Sequence, residues 1–100
     1  MIDTPDPRFR LGRVVATPGA LDALRRAGQS PWEFLVRHVA GDWGEVDADD
    51  RAANDRAVKD GGRILSAYRL GTGGTLWVVT EAEDDRGHRA ATTCLLPEEY

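Results

Sequence analysis

At 100 residues, with 41% apolar and 30% charged side chains, the chain is sized for one globular domain and is too apolar for disorder. Its single cysteine, Cys94, excludes an internal disulfide and a cysteine-based zinc site. A net charge of −4 argues against general duplex binding.

No apolar run approaches the ~18 residues of a membrane span. The opening MIDTPDPRFR lacks the basic-then-apolar order of a secretion signal. A cytoplasmic location without a membrane partner is therefore expected. Charge is uneven: residues 42–60 and 81–100 each sum to −4, while residues 1–41 and 61–80 each sum to +2.

Residues 1–8, with two prolines and two aspartates, read as a flexible tail, leaving 9–100 as a single α+β domain. FRLGRVVA (9–16) is a candidate strand, weakened by Gly12. Thr17-Pro18 opens a helix over about 18–27, with Leu21 and Leu24 inward and Gly28 as its stop. Ser30 and Glu33 have the spacing of a capping box. They open a second helix over about 31–40, apolar almost all round, with only Glu33 and Arg37 clearly outward; this reads as the central core helix. Asp42-Trp43-Gly44 is a turn. Asp47 caps a third helix over about 48–60, stopped by Gly61-Gly62. Its apolar stripe is thin (Ala53, Ala57, Val58), and Asp55 and Lys59 are an i,i+4 pair.

The apolar period then changes to two. RILSAYRL (63–70), TLWVVTEA (75–82) and RAATTCLL (89–96) read as strands joined by Gly71–Gly74 and by a polar turn over 83–88. Two hairpins give a three-stranded antiparallel meander. Symmetric registers would put Ile64, Ser66, Tyr68, Trp77, Val79, Glu81, Thr92, Cys94 and Leu96 on one face; a one-residue slip would change the sets. The helices should cover one face, leaving the other for a partner or for the N-terminal arm.

The strings RHVAGDWG (37–44), RILSAY (63–68), LWVVTEA (76–82) and TTCLLPEEY (92–100) resemble a family of short bacterial proteins carried on plasmids, prophages and other mobile elements. That resemblance implies an accessory role in element maintenance, defence or counter-defence. The order of elements also resembles, more weakly, the fold of barnase, EndoU-like and RelE-type RNases, where helices precede a small antiparallel sheet that carries the catalytic groups.

Three sets of residues carry candidate chemistry. An RNase needs a base, an acid and a cation for phosphate, roles open to His38, Glu81 and Arg69. Against this, His38 also reads as a helix-terminal histidine capping carbonyls or half-buried against aromatics. For a protein partner, Asp42 and Trp43 would form a recognition loop, and Tyr68 and Trp77 would offer aromatic anchors on the sheet. The same loop also reads as a structural turn. For nucleic acid, the candidates are Arg25 and Arg26. No metal site has a recognised spacing and no cofactor is implied; a homo-oligomer stays open. The leading expectation is a protein-binding accessory module, followed by an RNase or toxin domain and then a weak nucleic-acid binder.

Overall fold

A computed structural model describes residues 7–100. Most of the expected tail, residues 1–6, lies outside the described residues. Arg8 is already tied to the fold, its amide donating to the Val39 carbonyl at 2.8 Å.

The elements are β1 (Arg13–Ala16), α1 (Pro18–Ala27), α2 (Pro31–Val39), α3 (Ala48–Asp60), β2 (Ile64–Arg69), β3 (Thr75–Thr80), β4 (Ala91–Leu95) and a terminal 3-10 turn, Pro97–Glu99. The α+β class is as expected. The sheet differs: it has four strands in the order β1-β4-β3-β2 and is mixed, because β1 pairs parallel to β4. Only β2-β3-β4 form the antiparallel meander. Gly12 makes the β1–β4 approach possible. It holds φ +66, and a Cβ there would fall 2.2 Å from the Arg89 carbonyl oxygen. The glycine that weakens residues 9–12 as a strand is therefore what lets 13–16 be one.

The helix caps follow their sequence signals with one exception. Thr17 Oγ1 accepts from the Ala20 amide and Gly28 closes α1 at φ +66. Asp47 accepts from the Asp50 amide and Gly61 closes α3 at φ +87. At α2, Ser30 Oγ accepts from Trp32, not from Glu33, and the Glu33 carboxylate instead accepts from the Gln29 side chain at 2.7 Å. The capping box is thus replaced by an i,i+4 side-chain bond. Nor is α2 buried all round: Phe34, Leu35 and His38 face the sheet while Trp32 and Val36 are exposed. On α1, Ala20 and Leu24 are buried and Leu21 is exposed.

The register corrects the expected faces. Ser66 pairs with Val78 and Tyr68 with Leu76, so Leu76, Val78 and Thr80 join Ile64, Ser66 and Tyr68 on one face, with Thr92 and Cys94. Trp77, Val79 and Glu81 lie on the other. Both hairpins cause it: the β3–β4 connection pairs Glu83 with Arg89 around five residues rather than the expected six, and the β2–β3 loop is odd as well. The Leu70 amide donates to the Gly74 carbonyl at 2.7 Å and the Gly73 amide to the Leu70 carbonyl at 2.9 Å. That closes a three-residue loop with Gly73 at φ +98, the form of a type I turn followed by a left-handed residue. An odd loop inverts the side-chain parity that an even loop would give.

The helices cover one face. Ala20, Leu24, Phe34 and Leu35 form a core with Tyr68, Leu70, Leu76, Val78 and Cys94. Phe9, Trp43, Ala57 and Ile64 form a second. Neither core takes a residue from the opposite face, which carries Leu65, Ala67, Trp77, Val79, Thr93 and Leu95. The C-terminal turn reaches that face, where Tyr100 meets Trp77 edge-on at 5.3 Å between ring centres.

Candidate functional site

The RNase constellation is not assembled. His38 is fully buried on the covered face of the sheet. Arg69 and Glu81 are exposed and, by strand parity, project from the opposite face. The sheet itself separates them. None of three surface clefts, of about 700, 460 and 180 Å³, is lined by His38.

His38 instead belongs to a directional chain of buried hydrogen bonds. The Thr92 hydroxyl donates to the Leu11 carbonyl at 2.8 Å. Its proton is thereby spent, so in the 2.7 Å contact between Thr80 and Thr92 the donor is Thr80. Thr80 then has none left for His38, so His38 Nε2 carries the proton and donates to Thr80 Oγ1 at 2.8 Å. The neutral ring's Nδ1 accepts from Ser66 Oγ at 2.6 Å. One backbone carbonyl on the strand of residues entering β1 thus sets the tautomer of a histidine on α2. Burial, helped by the positive charge of Arg89, depresses the His38 pKa to about 3. An imidazole so masked and so weakly basic serves structure, with both nitrogens occupied.

Asp42-Trp43-Gly44 also proves structural. Asp42 Oδ1 accepts from the Gly44 amide at 3.2 Å, an Asx turn, and Gly44 takes φ +74. Arg37 Nε donates to Asp42 at 2.7 Å, holding this carboxylate below its usual pKa. The Trp43 ring points inward, beside Phe9 and His38, and its Nε1 donates to Asp55 at 3.0 Å. Asp55 is thus engaged by tryptophan, and no Asp55–Lys59 ion pair is present among the described residues. Tyr68 is likewise fully buried; its hydroxyl donates to the Asp42 carbonyl at 2.7 Å, and burial raises its pKa. Trp43 and Tyr68 are therefore core residues and not contact residues. Arg25 and Arg26 are exposed, and both pair with Asp22, at 2.5 and 3.0 Å, which offsets their local charge.

Of the residues singled out as partner anchors, only Trp77 stands on the uncovered face. Its cross-strand neighbours are Ala67 and Leu95, and the adjoining row runs Leu65, Val79, Thr93 and the exposed Val15; Ala67, Val79 and Leu95 are buried. Arg63 extends over the Tyr100 ring at 5.2 Å, next to Trp77. This surface is apolar at its centre and of mixed charge at its edges: Arg13, Arg63, Glu81 and Arg69, the last paired with Glu45 at 3.4 Å, lie on the same side as Trp77.

Two polar side chains missed in the sequence organise this architecture. Arg89 is buried and donates to the carbonyls of Gly62 (2.7 Å), Glu81 (2.9 Å) and Ala57 (3.0 Å). It thereby joins the end of α3 to the starts and ends of two strands. Asn54, on α3, gives its amide to the Leu65 carbonyl at 2.8 Å and accepts from the Leu65 amide at 3.1 Å. It was legible only as a break in an alanine stripe, and Arg89 only as an arginine at a strand start.

Comparison with known proteins gives no match to a family model, a curated protein or a solved structure. Among the described residues, no helix is long and apolar enough to cross a membrane.

Proposed function

We propose that this chain is a non-catalytic protein-binding module that meets its partner through the open face of its sheet. The observation that carries the reading is the one-sided arrangement of the helices. All core-forming helix residues pack on the Ser66–Val78–Cys94 side, leaving on the other a partly buried Trp77 between Ala67 and Leu95, with Leu65, Val79, Thr93 and Val15 in the adjoining row. A tryptophan amid aliphatic and threonine side chains, with charged residues at the rim, has the make-up of a contact surface. The RNase reading loses its base, since His38 is enclosed. The resemblance to mobile-element proteins suggests a setting for such a module: an accessory role exerted by contact with a protein of the host or of the element.

A photo-reactive residue placed at Thr93, in cells that naturally produce the protein, should give one discrete adduct. The same residue at Arg51, on α3, should give none. The adduct should disappear in Trp77→Ser while the circular dichroism spectrum stays unchanged. Equal labelling from both positions, or none from Thr93, would reject the reading.

A further inference from the structure

The two edges of the sheet are treated differently. On β2 the outward-facing residues are Leu65, Ala67 and, at its end, Arg69. Asn54 bonds both backbone groups of Leu65. The Ala67 amide donates to Trp43 O at 3.1 Å, and the Ala67 carbonyl accepts from the Glu45 amide at 2.7 Å. Over Leu65 and Ala67 this edge is closed by the chain itself, as sheet proteins commonly arrange, leaving only the outward backbone groups of Arg69 at its end without a partner among the described residues.

On β1 the Arg13 amide donates to Ala90 O and the Thr17 amide to Cys94 O. In a parallel ladder the groups facing the neighbour alternate, so Arg13, Val15 and Thr17 point to β4, and Val14 and Ala16 point away. The outward amides and carbonyls of Val14 and Ala16 meet no hydrogen-bond partner among the described residues. The segment leading into this edge is also cationic: residues 7–16 hold Arg8, Arg10 and Arg13 and no acid. Arg10 and Arg13 are exposed, and neither forms an ion pair among the described residues.

We infer that the partner's contacting element is an extended acidic segment that adds beside β1 as a fifth strand. This rests on the binding reading above and names the partner's chemistry. Val14 and Ala16 supply up to four backbone hydrogen bonds, the usual basis of strand addition. Val15 and Arg13 project to the Trp77 side, so alternate residues of the added strand extend the open face. Acidic side chains on that strand meet Arg10 and Arg13. A second copy of the chain fits less well, because it would bring another arginine-rich segment to the same edge.

The test uses the full chain and two peptides, one alternating valine with glutamate and one alternating valine with lysine. The glutamate peptide should shift the Val14 and Ala16 amide resonances and slow their hydrogen exchange, and added salt should weaken it. The lysine peptide should do neither. Val14→Pro removes an outward donor while leaving the β1–β4 ladder intact, and should weaken binding roughly five- to tenfold. Arg10→Glu with Arg13→Glu leaves the backbone unchanged and should reverse the peptide preference, so the inference stays falsifiable if the proline variant misfolds. Equal binding of both peptides, or exchange at Val14 and Ala16 unaffected by either, would overturn it. So would protection of these amides that rises with protein concentration alone, which would mark a second copy. An adduct at Thr93 with β1 unprotected would reject the edge and keep the open face; β1 protection without an adduct at Thr93 would do the reverse.

Discussion

His38 Nε2 and Thr80 Oγ1 lie 2.8 Å apart, and the bond has one possible direction because Thr80's own proton goes to Thr92. Protonating the imidazole would require Ser66 to turn its hydroxyl away from Nδ1 and a charge to enter a buried site beside Arg89. This is why the ring stays neutral at ordinary pH.

A stability dependence on pH follows. The folded-state pKa of His38 is lowered to about 3 from the ordinary 6.5. The unfolded chain therefore binds the extra proton first, so the stabilisation is complete above pH 6.5 and is lost as pH falls towards 3. At about 1.4 kcal/mol per unit, the whole loss is at most roughly 5 kcal/mol. Urea midpoints should fall between pH 7 and about 5, above most carboxylate titrations. His38→Gln should start less stable and show a flatter profile in that window. An unchanged slope would mean that His38 is not the titrating group.

Arg89 is the fold's most exacting side chain. Its guanidinium satisfies three carbonyls from α3, the α3–β2 connection and the segment after β3. Its nearest carboxylate, Glu83, is 3.9 Å away. Arg89→Met keeps the stem but leaves those carbonyls without donors, and should cost about 3 kcal/mol or more. Arg89→Lys should recover only part of this, since one ammonium cannot reproduce the planar fork. Thermal melts of the two variants check the order.

Asn54 closes the β2 edge by imitating one residue of a neighbouring strand. Asn54→Asp keeps the acceptor for the Leu65 amide and replaces the donor with an oxygen facing the Leu65 carbonyl. It should be more destabilising than Asn54→Ala, for which a cost of about 1–2 kcal/mol is expected. Both should speed hydrogen exchange at Leu65, leaving β4 protected. Uniform loss of protection would show that the edge is not a local unit.

Much of this was legible in the sequence because local rules set it. Thr17, Asp47, Gly28 and Gly61 mark helix ends with short-range bonds, and alternation marks β2, β3 and β4. Less legible was anything decided by long-range closure. The parallel β1–β4 pairing depends on Gly12 meeting Arg89, 77 residues away in the chain. Strand parity turned on whether the glycine-rich loop and the polar 83–88 turn each hold an odd or even count, which their composition leaves open. Trp43 and Tyr68 carry aromatic rings suited equally to a contact or a core, and only the enclosing fold decides. His38 was conspicuous for its chemistry, yet its partners on β2 and β3 make it structural.

Cys94 offers an independent check on this architecture. It lies on β4 beneath the helices, and burial alone pushes its thiol up to about 11. Reaction needs the thiolate and access to it, and both require the helices to leave the sheet. Alkylation in the native state should therefore be slow, and should accelerate in Arg89→Met by the factor through which that change raises the open population. Trp77→Ser, on the far face, should leave the rate almost unchanged. Fast native alkylation would place Cys94 on the open side and reverse the two faces of the sheet.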